Sequence, residues 1–500
     1  MKVVKKIVGC INQNCIPWMQ YSDFKNILMK KIFLSLFSLA VFGLQAQTDH
    51  TSFLNAIDAN AAQYGTIAQT IWGYAEMGYQ ETKSSALLQE TLAAEGFVIE
   101  KGIAGIPTAF SATYGTDGPV IAILGEYDAL PGLSQKNLPY KVDNNTRAGH
   151  GCGHHLFGTA SAAAAIAVKN YLKETGKAGT VKFFGCPAEE GGSGKVYMTR
   201  AGLFDDADVA LHWHPNNKNA ANPGAALANK SAKFRFYGRS AHAAAAPEQG
   251  RSALDGVESM NYMVNMMREH IPSSARIHYV ITRGGEAPNV VPDFAEVYYY
   301  ARHNRRDVVI DIFDRIVNTA KGAALGTGTT MDFEMIGGTH ELLPNDVLQE
   351  LMHKSLSQIG GFDYTSKENE FAKRIAETLE KPLNMAFVSG VEPYDPNALP
   401  MGSTDVGDVS FTVPTAGMGA ATWVPGTPAH SWQAVATGGT TIGNKGMLVA
   451  AKTLALTAFK LLDNPKIMKE AHAEFLEKRG VDFKYIPLLG DRSPALDYRN

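Results

Sequence analysis

Two kinds of apolar pattern alternate along this chain. Over residues 55–75, and again over 82–95, apolar residues recur at spacings of three and four, which predicts amphipathic helices. Residues 119–124 form a continuous apolar run, the pattern of a strand buried on both faces. Residues 158–171 are alanine-rich and read as a helix, and 180–184 and 207–211 read as further strands. Strands alternating with helices predict an α/β sheet.

From about residue 229 the pattern changes. Residues 233–237 alternate polar and apolar, as a half-exposed strand does. A helix is predicted over 252–270, strands over 276–282 and 295–303, a helix over 307–324 and a strand near 329–335. This β-α-β-β-α-β order is that of a ferredoxin-like domain. The expected organisation is a larger α/β domain, 47–228 plus 340–475, interrupted by an inserted ferredoxin-like domain, 229–339. A C-terminal tail, 476–500, follows, loop-like from residue 484.

Ahead of these lies a leader, residues 1–46. Met29, Lys30 and Lys31 precede an apolar run over 32–44 that ends in Gln45-Ala46-Gln47. A basic start, a short apolar stretch and a small residue before a cut describe a secretory signal peptide over 29–46. Met29 is then the expected start, Gln47 the mature N-terminus and the periplasm the expected location. The run is short for a transmembrane helix, and an uncleaved anchor is the alternative.

Five hundred residues are enough for more than one domain. The net charge is −3, and no basic block stands out beyond the N-terminal stretch, which argues against nucleic acid as a partner. Four cysteines cannot make a disulfide scaffold, and cleavage would remove Cys10 and Cys15. Cys152 and Cys186 would remain. Cys186 reads as a buried core thiol, although a bridge to Cys152 would remove a potential ligand.

Five of the 14 histidines fall between residues 150 and 214. His150-Gly151-Cys152-Gly153-His154-His155 stands at the start of the alanine-rich helix. Thiolate and imidazole suit zinc-like ions, and glycines let a backbone fold tightly around one. Glu189-Glu190 follows the second strand, and adjacent acids on an extended segment point opposite ways. His212 and His214 share one side of the third. Glu126 and Asp128 follow the buried strand at 119–124. In open α/β sheets, sites collect at the carboxyl ends of strands. Four such clusters at one sheet edge predict a divalent-metal site. Asp405 and Asp408 read as hydrogen-bonding loop residues.

At these residues the chain resembles the zinc metallopeptidase superfamily of aminoacylases, glutamate carboxypeptidases and dipeptidases. Within it, the resemblance is to the amidohydrolase branch that includes the indole-acetyl-amino-acid and aminobenzoyl-glutamate hydrolases. It is carried by residues 149–158, 187–198, 210–215, 238–265, 284–303 and 403–409, and extends over about 50–470. The resemblance implies metal ligands at Cys152, His154, Glu190, His212 and His430, the last from Pro428-Ala429-His430-Ser431-Trp432. It implies Glu189 as general base and Asp128 as the acid that orients a ligand. His242 matches an insert-domain histidine that reaches the partner subunit's site, and Asn289 and Arg302 match substrate-holding positions. Two departures bear on the second metal: His155 stands where many members have Asp, and Glu126 replaces the His of the usual His-x-Asp.

The implied enzyme is a metal-dependent amidohydrolase with one or two ions of zinc or manganese. It would cleave a small N-acyl or N-aroyl amino acid, with p-aminobenzoyl-glutamate as the expected substrate. The resemblance also implies that the 47–228 plus 340–475 domain is the mixed-sheet catalytic domain and the 229–339 insert its lid and dimerisation domain, so that the enzyme would act as a homodimer or as a heterodimer with a homologous chain. A dipeptidase or N-acyl-amino-acid deacylase is the alternative enzyme, and a non-catalytic metal-binding partner chain the alternative of another class.

Overall fold

The computed structural model describes residues 49–142, 147–222, 226–382, 384–398 and 402–499. The expected signal segment, Cys10 and Cys15 lie outside them. Among the described residues, twelve strands form three sheets. The largest joins β1 (Val98–Lys101), β2 (Phe110–Tyr114), β3 (Val120–Glu126), β6 (Thr180–Cys186), β7 (Val209–Asn216) and β12 (Thr415–Ala421) in the order β1-β2-β6-β3-β7-β12. A short ribbon pairs β4 (Leu130–Pro131) with β5 (Ala148–Gly149). The third sheet contains β8 (Ala228–Tyr237), β9 (Arg276–Arg283), β10 (Phe294–His303) and β11 (Thr330–Thr339).

The large sheet is mixed. β6, β3, β7 and β12 run parallel, whereas β1 pairs antiparallel with β2, and β2 with β6. The apolar run in β3 is explained by cover on both faces. Ile121 and Ile123 enter one core with the helices His154–Thr175 and Thr441–Asp463. Ala122 and Leu124 enter a second with Val196, Met198, Val409 and Leu489. Each fully buried Ile or Leu of this kind contributes about 1.5–3 kcal/mol.

The third sheet has the order β11-β8-β10-β9 and is antiparallel throughout. Helices Ala253–Met267 and Arg306–Thr327 bring Val257, Met260, Val264, Ile312 and Phe313 against Phe234, Phe236 and Val297. The element order is the ferredoxin-like one expected from the sequence. This sheet has its own core, yet residues 50–500 form one compact unit.

The pattern did not mark β1, β2, β4 or β5, and two further differences have a local cause. The expected helix over 55–75 is two helices, Thr51–Ala59 and Ala61–Tyr74, broken at Asn60. Asn60 Nδ2 donates to the Ala56 carbonyl at 2.8 Å, the local competition that makes Asn a poor helix-interior residue. Strand β12 gives almost no strand signal because Gly417 and Gly419 lower its propensity. A Cβ on Gly417 would lie 2.3 Å from His212 Nε2, so the glycine makes room for that ring. Among the described residues no helix is long and apolar enough to cross a membrane.

Candidate metal centre and active site

The parallel strands bring the candidate residues to one end of the sheet, as open α/β sheets do. β3 ends at Glu126, two residues before Asp128, and the loop after β6 carries Glu189 and Glu190. β7 carries His212 and His214, and the loop beyond β12 carries His430. Cys152 and His154 come from the turn between β5 and the helix His154–Thr175. Cys152, Glu189, Glu190, His214 and His430 line a cavity of about 710 Å3.

Asp128 holds two of these groups. Its Oδ1 is 2.8 Å from His154 Nδ1, and its Oδ2 accepts from the Glu190 N–H at 2.9 Å. His154 Nε2 then faces Glu126 Oε2 at 3.1 Å, and neither atom has a hydrogen-bond partner. His214 Nδ1 lies 2.7 Å from the Pro215 carbonyl, an acceptor, so this nitrogen carries the proton. Its Nε2 is then an acceptor, in hydrogen-bond contact with Cys152 Sγ at 3.4 Å. Glu190 Oε1 is 3.2 Å from His430 Nε2.

Three groups of donor atoms follow, each within 4.8 Å: Cys152, His154 and His214; Cys152, Glu190 and His430; and Glu126, His154 and Glu189. The first two share the Cys152 sulfur. His154 Nε2 and Glu190 Oε1 are buried, make no hydrogen bond and face only other candidate ligand atoms, Glu126 Oε2 and His430 Nε2, and a sulfur, nitrogen and oxygen set suits a transition-metal ion. The residues therefore fit a divalent metal.

The floor of the site carries an ionic cluster. Lys195, fully buried, lies 2.5 Å from Glu126 Oε1 and 2.7 Å from Asp405 Oδ1. Its N–H also donates to Asp405 Oδ2 at 2.9 Å. Burial opposes the ammonium, but the Asp405 and Glu126 carboxylates outweigh it and hold the lysine pKa well above its usual value. Burial, then the Glu126 and Glu190 carboxylates, raise the Glu189 pKa well above the carboxylate range. A cation beside Glu189 acts in the opposite direction.

The resemblance implied His212 as the ligand on β7, but His214 is the histidine in the Cys152 group. His212 lines the same cavity and packs over Gly417. Burial first, then Lys195 and His214, push its pKa down to about 3, so the ring is neutral. Both histidines point to one side of β7, and a strand advances about 6.6 Å over two residues. Sequence can name the pair, but only the position of Cys152 selects between them.

Arg302 lines the cavity, with a buried Nε that has no partner. His242 and Asn289 do not reach the cavity in this chain. They are neighbours at the surface of the β8–β11 region, joined by the Ala243 N–H donating to the Asn289 carbonyl at 3.0 Å. Asp405 and Asp408 are hydrogen-bonding residues: Asp408 accepts from the His340 N–H at 3.0 Å and from Tyr485 Oη at 2.7 Å. Cys152 and Cys186 are both free thiols. Sequence reading did not find Lys195. A lysine five residues after an acid pair is usually solvated, and its partner Asp405 lies 210 positions away.

Together the fold and the site define a metal-dependent hydrolase. The model of peptidase family M20/M25/M40 matches residues 122–435, and the chain belongs to that family. The chain is 41% identical over 471 residues to a subunit of the p-aminobenzoyl-glutamate hydrolase of Escherichia coli K12, covering 88% of this chain and 98% of that one. It is 31% identical over 434 residues to the Xaa-Arg dipeptidase of Mus musculus, covering 84% and 90%. Among solved structures, an aminobenzoyl-glutamate utilization protein from Klebsiella pneumoniae shares the fold at TM-score 0.57 and 18% identity, covering 81% of this chain and 97% of that one. A dinuclear metal-binding M20 peptidase from Bacillus subtilis does so at TM-score 0.55 and 18% identity, covering 81% and 99%.

Proposed function

We propose that this hydrolase cleaves the amide between an aroyl or acyl group and an amino acid, with p-aminobenzoyl-glutamate as substrate. The observation that carries the reading is Glu189 set beside ligand groups that share the Cys152 sulfur, in a cavity that also holds Arg302. The similarity to the Escherichia coli hydrolase narrows the class to that substrate. One or two ions of zinc or manganese are the proposed cofactors, held by Cys152, His154 and His214 and by Cys152, Glu190 and His430. A bound divalent ion supplies Lewis acidity toward a carbonyl and a water.

The chain's own groups do the rest. Arg302 offers its guanidinium to the carboxylate of the amino-acid portion. Glu189 takes a proton from the attacking water as the new C–O bond forms. When the C–N bond breaks, the same carboxyl returns that proton to the leaving nitrogen. Acid–base work of this kind contributes roughly 10²–10⁴-fold. Asp128 keeps both His154 and the Glu190 backbone in place throughout.

The test is a substrate panel with the purified chain, with and without added zinc or manganese. Hydrolysis of p-aminobenzoyl-glutamate by the chain alone supports the full reading. Cleavage of dipeptides only would replace the substrate. Inactivity without a homologous partner chain would assign the protein to a heterodimer.

The proposed assembly is a dimer, either of two copies or with such a partner. Edge strand β9 exposes Tyr279 and Ile281, and the helix packed on the same side exposes Tyr262 and Met266, an apolar face that a second protomer would cover. His242 and Asn289 would then serve the partner's site, where the imidazole donates to the developing oxyanion. Such a donor is worth about 3 kcal/mol. In a homodimer, His242→Ala and Glu189→Ala should each be nearly inactive. Mixed dimers should regain part of the activity, because one site then combines an intact Glu189 with the partner copy's intact histidine. Confirmed protomer exchange with no recovery would show that His242 does not act in trans.

Export through the 29–46 segment is likewise proposed. Mass spectrometry of the secreted product should show Gln47 at its N-terminus. A membrane-bound product that retains residues 30–47 would contradict this.

A further inference from the structure

The loop that carries both glutamates has an unusual backbone. Ala188 and Ser193 are non-glycine residues at φ 55° and 60°, and Gly191 lies at φ 88°. Between them Glu190 has φ −70° and ψ 69°, an inverse γ-turn geometry rather than a helical one. One loop hydrogen bond, from the Gly192 N–H to the Ala188 carbonyl at 3.0 Å, closes the turn. Single residues in left-handed conformations persist only where their surroundings impose them.

The surroundings here come largely from the far end of the chain, a segment with no helix or strand. Tyr498 Oη donates to the Glu190 carbonyl at 3.0 Å, and Arg499 Nη2 donates to the same oxygen at 2.6 Å. The Glu190 N–H is held by Asp128, so the peptide groups on both sides of this Cα are gripped by side chains. The Tyr498 ring meets Tyr79 edge-on at 5.6 Å, and Tyr79 Oη donates to the Gly192 carbonyl at 2.7 Å. A Cβ on Gly78 would lie 2.3 Å from Tyr498 Oη, so the glycine leaves space for the phenol.

The segment is itself anchored on both sides. Leu488 and Leu489 are buried, and Leu489 enters the core beneath β3 and β6. Arg200 Nη1 donates to the Gly490 and Arg492 carbonyls, each at 3.0 Å. Arg492 in turn donates to the carbonyls of Met335 and Ile336 on β11. A Cβ on Gly338 would lie 2.7 Å from the Leu488 backbone, so β11 and the segment are in direct contact.

We propose that Tyr498 and Arg499 are positioning residues that set Glu190 in register with Cys152 and His430. The inference rests on the reading of Glu190 as a metal-holding residue. Without the two donors the Glu190 carbonyl loses its partners and the strained turn relaxes. The carboxylate then no longer meets the other two donor atoms. Outer partners of metal ligands typically carry about 10- to 100-fold in metal affinity or activity.

The test uses the full chain with Tyr498→Phe, Arg499→Ala, the double variant and Arg499→Lys. Zinc is titrated calorimetrically into metal-free protein, thermal melting of that metal-free protein is recorded, and kcat and KM are measured separately. The double variant should bind zinc about 10- to 100-fold more weakly and lose kcat with little change in KM. Its metal-free melting temperature should stay close to the parent's. Arg499→Lys, which keeps a charged donor, should recover most of the affinity. A folded double variant with parental zinc affinity and kcat would overturn the proposal, as would loss of melting temperature with affinity intact. If the double variant does not fold, Tyr498→Phe decides, since it keeps the ring and removes only the hydroxyl; parental affinity there overturns the idea. Zinc titration needs no substrate. Weakened binding in a chain that hydrolyses nothing would sustain the positioning role and sink the amidohydrolase reading, whereas a parent that binds no zinc would sink both.

Discussion

Glu189→Gln should leave the chain folded and able to bind metal while lowering kcat by at least about 100-fold, the low end for a positioned acid–base group. The substitution keeps the shape of the side chain and removes its capacity to take up a proton. Glu189 is the member of the acid pair that stands with Glu126 and His154, whereas Glu190 stands with Cys152 and His430. The two neighbours should therefore fail differently. Glu190→Gln should lower metal content, because it weakens a donor, and activity should fall with occupancy. Glu189→Gln should retain metal and lose turnover. Metal analysis of each purified variant, alongside kcat and KM, separates the two outcomes. Near-native kcat in Glu189→Gln would mean that another group acts as the base.

Much of this site was legible in the sequence because strand ends carry short-range information. The apolar run in β3 announced a strand covered on both faces, and Glu126 and Asp128 had to stand at its end. The β-α-β-β-α-β order of the smaller sheet was equally readable, since its elements are long and strongly periodic. What could not be read is everything that depends on distance across the fold. His430, which only the family resemblance could name, comes to Glu190 through a loop after a glycine-rich strand with no strand signal, and its own backbone is left-handed, at φ 59°. The choice of His214 over His212 turns on where Cys152 lies along β7. The segment 485–499 has no periodicity because it is shaped by the surfaces it crosses. Its hydrogen bonds to the Glu190 carbonyl span more than 300 positions.

Lys195 is the residue whose loss should cost the most stability. Its ammonium is fully buried between Glu126 and Asp405, and its N–H is bound to the same aspartate. Removing one partner from a buried ionic cluster leaves uncompensated charge in a medium that solvates it poorly, at a cost of about 3–5 kcal/mol. Lys195→Met, close to isosteric, should lose about that much, read as a lower denaturation midpoint of the metal-free protein. The fully neutral variant Lys195→Met/Glu126→Gln/Asp405→Asn should regain much of the loss, because the penalty belongs to the orphaned carboxylates rather than to the missing attraction. That comparison separates charge from packing: if the triple variant is no more stable than Lys195→Met, the cost lies in the shape of the cavity floor. A Lys195→Met chain as stable as its parent would show that Glu126 and Asp405 need no fixed cation, and that this cluster does not hold β3 to the short helix Val406–Ser410 that follows Asp405.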